Sequence, residues 1–189
     1  MCVFQGYEIL HILPVQTATN VKLITQILHK FKDNLGPDYE SYHNHAQRVY
    51  HFATTLLLMR ESKKVAISAA FHDLDIWVND NMDYLNGSEN LARQYLLHTD
   101  YGLLPDEIAF IINQHHKLTK IKGNIEAEAF RKADLMDLTA GKIRFNLPLS
   151  LIRDLENQYP RKGFTKMIFG KTFRHAVSHP LNPFPMIKW

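Results

Sequence analysis

Between residues 20 and 140 apolar side chains recur at intervals of three and four, interrupted by clusters of turn-forming residues, and this spacing restricts the chain to packed α-helices. Val21, Ile24 and Leu28 make a first stripe, closed by DNLGPD at 33–38. The spacing predicts a second helix from near Pro37 and Asp38, where proline suits the first turn and aspartate the positive end of the dipole, with Tyr42, His45, Val49, Phe52, Ala53 and Leu56 inward. RESKK at 60–64 is a polar turn, after which Val65, Ala66, Ala69, Ala70 and His72 resume the pattern. VNDNMDYLNG at 78–87 reads as a loop. It lacks the central glycine of a calcium loop and has Asn90 where the closing glutamate would stand, so calcium is not expected there. Ser88 is expected to cap a helix through Leu97. Another helix opens at Pro105-Asp106-Glu107 and carries Ile108, Ile111, Ile112 and His115 inward. The last strong one runs from about Asn124 to Ala140, with Phe130, Ala133, Asp134 and Asp137 on one face. Beyond Gly141 the pattern weakens, and the three prolines of HPLNPFPMIKW at 179–189 predict an irregular end. The reading is an all-α chain, one helical bundle domain over 1–189, with five or more helices and a proline-rich C-terminal tail packed across the outside.

A chain of 189 residues is long enough to bury a substantial core. Cys2 is the single cysteine, which rules out an internal disulfide or a cysteine metal cage and suits a reducing compartment. The opening MCVFQGYEILHILPV carries Glu8 and His11 and no basic leader, and no stretch approaches the roughly 20 apolar residues of a membrane span, so a soluble, cytoplasmic protein is expected. The net charge of +3 is divided unevenly, because residues 141–189 hold nine Lys or Arg against two Asp or Glu. Without an Arg/aromatic repeat or a nucleic-acid motif, this basic extension reads as a solvated face, and nucleic acid is not an expected partner.

Three of the predicted helices carry ionisable residues on their inward side: His45 on one, His72 with Asp73 at the end of the next, and Asp134 on the last. A bare carboxylate in a core is costly, so a converging set needs protons, partners or a cation. One divalent ion would satisfy all four. Neighbouring residues on a helix point about 100° apart, so His72 and Asp73 share an ion only if it sits near the helix end. Mixed imidazole and carboxylate donors suit Mn, Fe, Zn, Ni or Mg. Four protein donors leave an octahedral ion room for water and substrate, which is the open arrangement of a catalytic site.

The ordered segments YHNHAQRV (His45, Arg48), AAFHDLDIW (His72, Asp73) and EAFRKADLMD (Asp134) resemble the HD-domain superfamily over residues 38 to about 140. The resemblance implies an all-helical metal-dependent phosphohydrolase with His45, His72, Asp73 and Asp134 as metal ligands. A small phosphorylated substrate is implied, a nucleotide first among them. Other members are hydratases, lyases or iron oxygenases on non-phosphate substrates, and a non-catalytic nucleotide-binding sensor module is a further alternative. Members that act as nucleoside monophosphatases place a proton-handling glutamate three residues after the HD aspartate, and here that position is Ile76. Members with two metals supply a further histidine, for which His98 is the candidate before the later His-rich helix. One ion is expected, with His115 or His116 able to assist a second.

Around these ligands, Asp73 or Asp75 is the expected handler of the proton, although Asp75 also reads as a supporting or surface aspartate. His115, His116 and Lys117 are expected to bind substrate phosphate or move a proton, against a reading of His115 as a satisfied core histidine. Arg48 is expected to pair with a substrate phosphate or with a nearby carboxylate, and Arg131 is a weaker candidate. Asp137 competes with Asp134 for the last ligand place but reads better as a local hydrogen-bonding group. His43 and His51 read as helix surface, and Trp77 as core. A homodimer is allowed.

Overall fold

The computed structural model describes residues 15–102 and 105–188. The expected absence of a leader falls on residues 1–14 and, with Cys2, lies outside the described residues. Among the described residues ten α-helices follow one another: Val15–His29 (α1), Lys32–Leu35 (α2), Tyr39–Leu56 (α3), Lys63–Phe71 (α4), Asp75–Val78 (α5), Leu85–Leu97 (α6), Pro105–Gln114 (α7), Ile125–Leu138 (α8), Leu149–Gln158 (α9) and Phe164–Ser178 (α10). Among the described residues there is no strand, only an isolated bridge between Lys117 and Lys188, and no helix is long and apolar enough to cross a membrane. The all-α architecture follows from the periodicity.

The short helix α4 lies at the centre, against α1, α3, α6 and α7. Every residue from Val65 to Phe71 is buried, and a helix apolar on all sides has no solvent face to offer. Ala66, Ala69 and Ala70 keep it slim enough for four neighbours. The Ser62 hydroxyl opens it by accepting from the Val65 amide at 3.3 Å. Around it α3 packs along α8, with Tyr42, Val49, Phe52, Phe130, Ala133 and Met136 fully buried. Asn124 caps α8 by accepting from the Ala127 amide at 2.9 Å.

Three local expectations are corrected. The segment 33–38 is not a plain turn: it forms α2 and a 3-10 turn over Gly36–Asp38, because Leu35 is drawn into the core. Ser88 does not cap a helix. The helix α6 already begins at Leu85, since Met82, Tyr84 and Leu85 bury against Ile76 and Met186, and the Ser88 hydroxyl instead accepts from the Asp75 amide at 3.2 Å. Gly87 permits this approach, for a Cβ there would overlap the Asp75 carboxylate. Finally, residues 149–158 and 164–178 are helical where the periodicity fades. Two anchors, Ile152 and Leu155, hold α9, and Phe164 alone is fully covered on α10, so neither helix writes a broad apolar stripe.

Gly141 ends α8 and lets Ile152 of α9 close against the turn. Its φ of +71° lets the amide turn back to the Met136 carbonyl at 2.9 Å, the left-handed ending that glycine favours. A Cβ there would stand 2.6 Å from Ile152 Cδ1. Gly141→Ala combines backbone strain with overpacking and should lower unfolding free energy by about 2 kcal/mol in a denaturant titration.

Candidate metal centre

His72 stands at the C-cap of α4, and His115 and His116 follow the last residue of α7. Both corners are helix C-termini, where the aligned peptide dipoles favour positive charge by roughly 0.3–1 kcal/mol each. His45 enters from α3, and Asp134 and Asp137 from α8, one turn apart. His45, His72, Asp73, His115, Asp134 and Asp137 are all within 3% of complete burial.

These side chains converge. His45 Nε2 lies 3.0 Å from His72 Nε2. Asp134 Oδ1 is 3.5 Å from the first ring nitrogen and 3.8 Å from the second, and Asp73 Oδ2 is 3.8 Å and 3.4 Å from the same pair. Across Asp73, its Oδ1 faces His115 Nε2 at 3.3 Å, and His116 Nδ1 is 3.7 Å from Asp134 Oδ2. Two groups, His45 with His72 and Asp73, and Asp73 with His115 and His116, each place donor atoms within 4.8 Å of one another.

The outer ring nitrogens fix which atoms face inward. His72 Nδ1 donates to the Ala69 carbonyl at 3.0 Å and His115 Nδ1 to the Ile112 carbonyl at 2.6 Å; a carbonyl can only accept, so both carry their proton outside. His45 Nδ1 donates to Asp137 Oδ2 at 2.7 Å. Burial holds His72 down at about 3, so its Nε2 is a bare lone pair at neutral pH. With the Nε2 of His45 aimed at it from 3.0 Å, the two nitrogens need positive charge between them. Asp134 Oδ1 is buried without a hydrogen-bond partner, and Asp73 Oδ1 and His115 Nε2 have only each other at 3.3 Å, an arrangement that native cores avoid unless something else meets those atoms.

Electrostatics separate the carboxylates. Burial pushes Asp134 up to about 7. Burial also acts to raise Asp73, but His72 and His115 outweigh it and hold that carboxyl below its usual range. For Asp137 burial is again opposed, here by the Arg48 guanidinium and His45, which keep it ionised. Donor atoms around one ion at about 2.1 Å stand roughly 3.0–3.4 Å apart, so the observed spacings need little adjustment. The buried His/Asp groups could hold a metal ion.

A bracing layer surrounds the donors. Arg48, fully buried, donates from Nε and Nη2 to the two oxygens of Asp137 at 2.6 and 2.8 Å and from Nη1 to the Tyr159 carbonyl at 2.6 Å. Arg161 Nη1 donates to the Asp137 carbonyl at 2.6 Å, and Phe164 stacks on His45 with ring centroids 3.9 Å apart. Tyr42 receives the Asp73 amide at 3.2 Å and donates to the Ala70 carbonyl at 3.1 Å. Tyr84 and His116 are joined, hydroxyl to Nε2, at 2.6 Å.

Several expectations change with this geometry. Arg48 is not positioned for a substrate phosphate; its guanidinium is spent on Asp137. Asp75 faces away, its carboxylate against Gly87 and bonded to Asn79, with no hydrogen bond or ion pair to the cluster. His98 is exposed, far from the role of a further ligand. Arg131 pairs with both oxygens of Glu128 at 2.9 Å. His51 is buried and stacks on Tyr159, because the segment after α9 crosses α3; His43 is half-buried beside Thr25. Trp77 packs on Tyr42 and donates to Asp38. Tyr159, Arg161 and Phe164 were not singled out by sequence, and the one available signal was a basic-aromatic run without period.

A cavity of about 340 Å³ reaches the cluster through His115, His116 and Asp134, with Lys117 and Arg131 also in its wall. A larger open groove of about 590 Å³, lined by Leu57, Lys122, Asn124 and Lys132, includes none of the cluster. Comparison with protein-family models, curated proteins and solved structures returns no match to this chain.

Two substitutions separate bracing from ligation. Asp137→Asn should weaken Mn²⁺ or Zn²⁺ binding about 10- to 100-fold in a chelator competition, as loss of a partner behind a histidine ligand does. Arg48→Ala strands a buried carboxylate and should cost about 3–5 kcal/mol in denaturant unfolding.

Proposed function

We propose that the chain is a metal-dependent phosphohydrolase of the HD-domain kind, acting on a small phosphorylated molecule. The observation that carries this reading is the convergence of three inward Nε2 atoms and two carboxylates, all buried, with Asp134 Oδ1 lacking a hydrogen-bond partner and a cavity reaching the cluster at His115 and Asp134. A divalent ion held by His45, His72, Asp73 and Asp134 would supply a Lewis acid that polarises a phosphoryl oxygen and makes water more acidic. Mn, Mg, Ni, Fe and Zn all suit such a donor set. His115 and His116, across Asp73, form the second donor group.

The chain's own residues divide the remaining work. Tyr42 and the Ala69 carbonyl fix the His72–Asp73 corner, and Asp137 fixes the ring of His45. His116, partly open to the cavity and bonded to Tyr84, replaces Asp75 as the group placed to pass a proton. As the oxygen of water bonds to phosphorus it gives a proton to His116, the ester P–O bond breaks with its electron pair leaving on the alcohol oxygen, and that oxygen takes the same proton back from His116. Lys117, in the cavity wall, sets positive charge against the phosphate.

The reading is tested by elemental analysis and phosphate release on the same preparations. Wild type should carry metal and release phosphate from a panel of phosphate monoesters, and His72→Ala should lose both together. Tyr84→Phe should keep the metal and lower kcat by about 10²-fold. Stoichiometrically metal-loaded wild type that releases no phosphate from any ester would refute it, and an oxygen-dependent optical signal from bound iron would favour an oxygenase.

A further inference from the structure

The wall of the cavity is unlike a nucleoside site. Away from the His115–His116–Asp134 end it is built of Ile76, Met82, Leu135, Leu138, Ile168 and Met186, from five separate parts of the chain. The polar side chains in the wall are largely engaged: Tyr84 holds His116, and Arg131 is occupied by Glu128. Thr172 is the remaining hydroxyl. A base and a ribose would bring several donors and acceptors against aliphatic carbon, where unpaired polar groups are costly. Hydrocarbon has the opposite balance there. Ile76, at 1% exposure, is part of that wall at the position where an acidic residue would introduce a lone carboxylate. Phe169 and Phe184, both more than half exposed, continue the apolar surface outward at the lip.

We infer that the substrate is a phosphate monoester of an apolar alcohol, its phosphate at the histidine end and its hydrocarbon body along the wall. This rests on the phosphohydrolase reading for the chemistry, and on the wall alone for the choice of body. The cavity, about 340 Å³, is at the small end of ligand pockets, which fits an alcohol of medium length with any excess lying over Phe169 and Phe184. Water cleaves the ester to the alcohol and inorganic phosphate, with no other reactant.

The test uses n-alkylphosphonates from ethyl to octyl, whose P–C bond cannot be hydrolysed, titrated calorimetrically into Mn²⁺-loaded protein. Affinity should rise about threefold to fourfold per methylene until the wall is covered. Binding heat capacity should grow more negative along the series, as apolar burial requires. Adenosine and thymidine monophosphates should bind no tighter than ethylphosphonate. The matching alkyl phosphate esters are then assayed for phosphate release, and kcat/KM should follow the same slope. A flat phosphonate series, or a nucleotide that binds tighter than hexylphosphonate, overturns the inference. Phosphonate binding that rises with length while no ester is cleaved sinks the hydrolase reading and upholds the apolar ligand class. Ester cleavage indifferent to chain length does the reverse. Leu135→Gln should flatten the slope and Leu135→Met, equal in volume, should keep it. Leu138→Gln on the same wall serves where Leu135→Gln does not fold, and a full slope in a folded Gln variant also overturns the inference.

Discussion

Asp137 ties three parts of the molecule together at one buried charge, beneath the apolar packing that already joins α3 to α8. Its carboxylate receives Arg48 twice and His45 once, and its backbone carbonyl receives Arg161. Helices α3 and α8 and the segment before α10 are thereby tied at a buried charge. Such a charge is tolerable only while its cation remains beside it, because the attraction offsets a desolvation cost of several kcal/mol per ion. The orientation of His45 is a by-product of that tie: the ring cannot turn without breaking its bond to an ionised carboxylate. What looks like a structural ion pair therefore also sets the aim of the first inward nitrogen.

The remaining donors are aimed by backbone. At the ends of α4 and α7 the rings of His72 and His115 point their outer N–H groups at carbonyls three residues earlier, so the turn itself selects the tautomer. The all-round burial of α4 makes this corner stiff. Its alanines let four helices close on it, and the polar pair at its end is carried into the middle of the bundle with them. A cluster so placed has no water to relax into, which is why its unpartnered atoms carry more weight than the same atoms would on a surface.

The helical frame and the convergence of His45, His72 and Asp134 were legible because both depend on local spacing: a stripe of apolar residues announces which side faces in, and all three sit on those stripes. Asp137 shares the face of Asp134, and spacing alone could not say which of them faces the His45–His72 pair and which holds Arg48. Asp75 is one helical turn from His72 and was equally ambiguous; only the approach of α6 at Gly87 turns it away. Helices α9 and α10 were illegible for a different reason, since each is fixed by one or two buried side chains and leaves the rest of its surface polar or bare. The bracing by Tyr159 and Phe164 depends on contacts with Arg48 and His45 more than a hundred residues away, and that by Arg161 on Asp137, 24 residues away, for which a single sequence carries no period.

The return of residues 159–164 onto α3 has a consequence for the order of assembly. Domains form progressively as the chain leaves the ribosome, N-terminal parts first. Helices α3, α4, α7 and α8, which bear every inward donor, emerge before the residues that receive Arg48 at Tyr159 and cover His45 with Phe164. Until residues 159–164 have been made, the nascent chain lacks the carbonyl that receives Arg48 and the ring that covers His45, so the cluster reaches its final enclosure only with the last fifth of the chain.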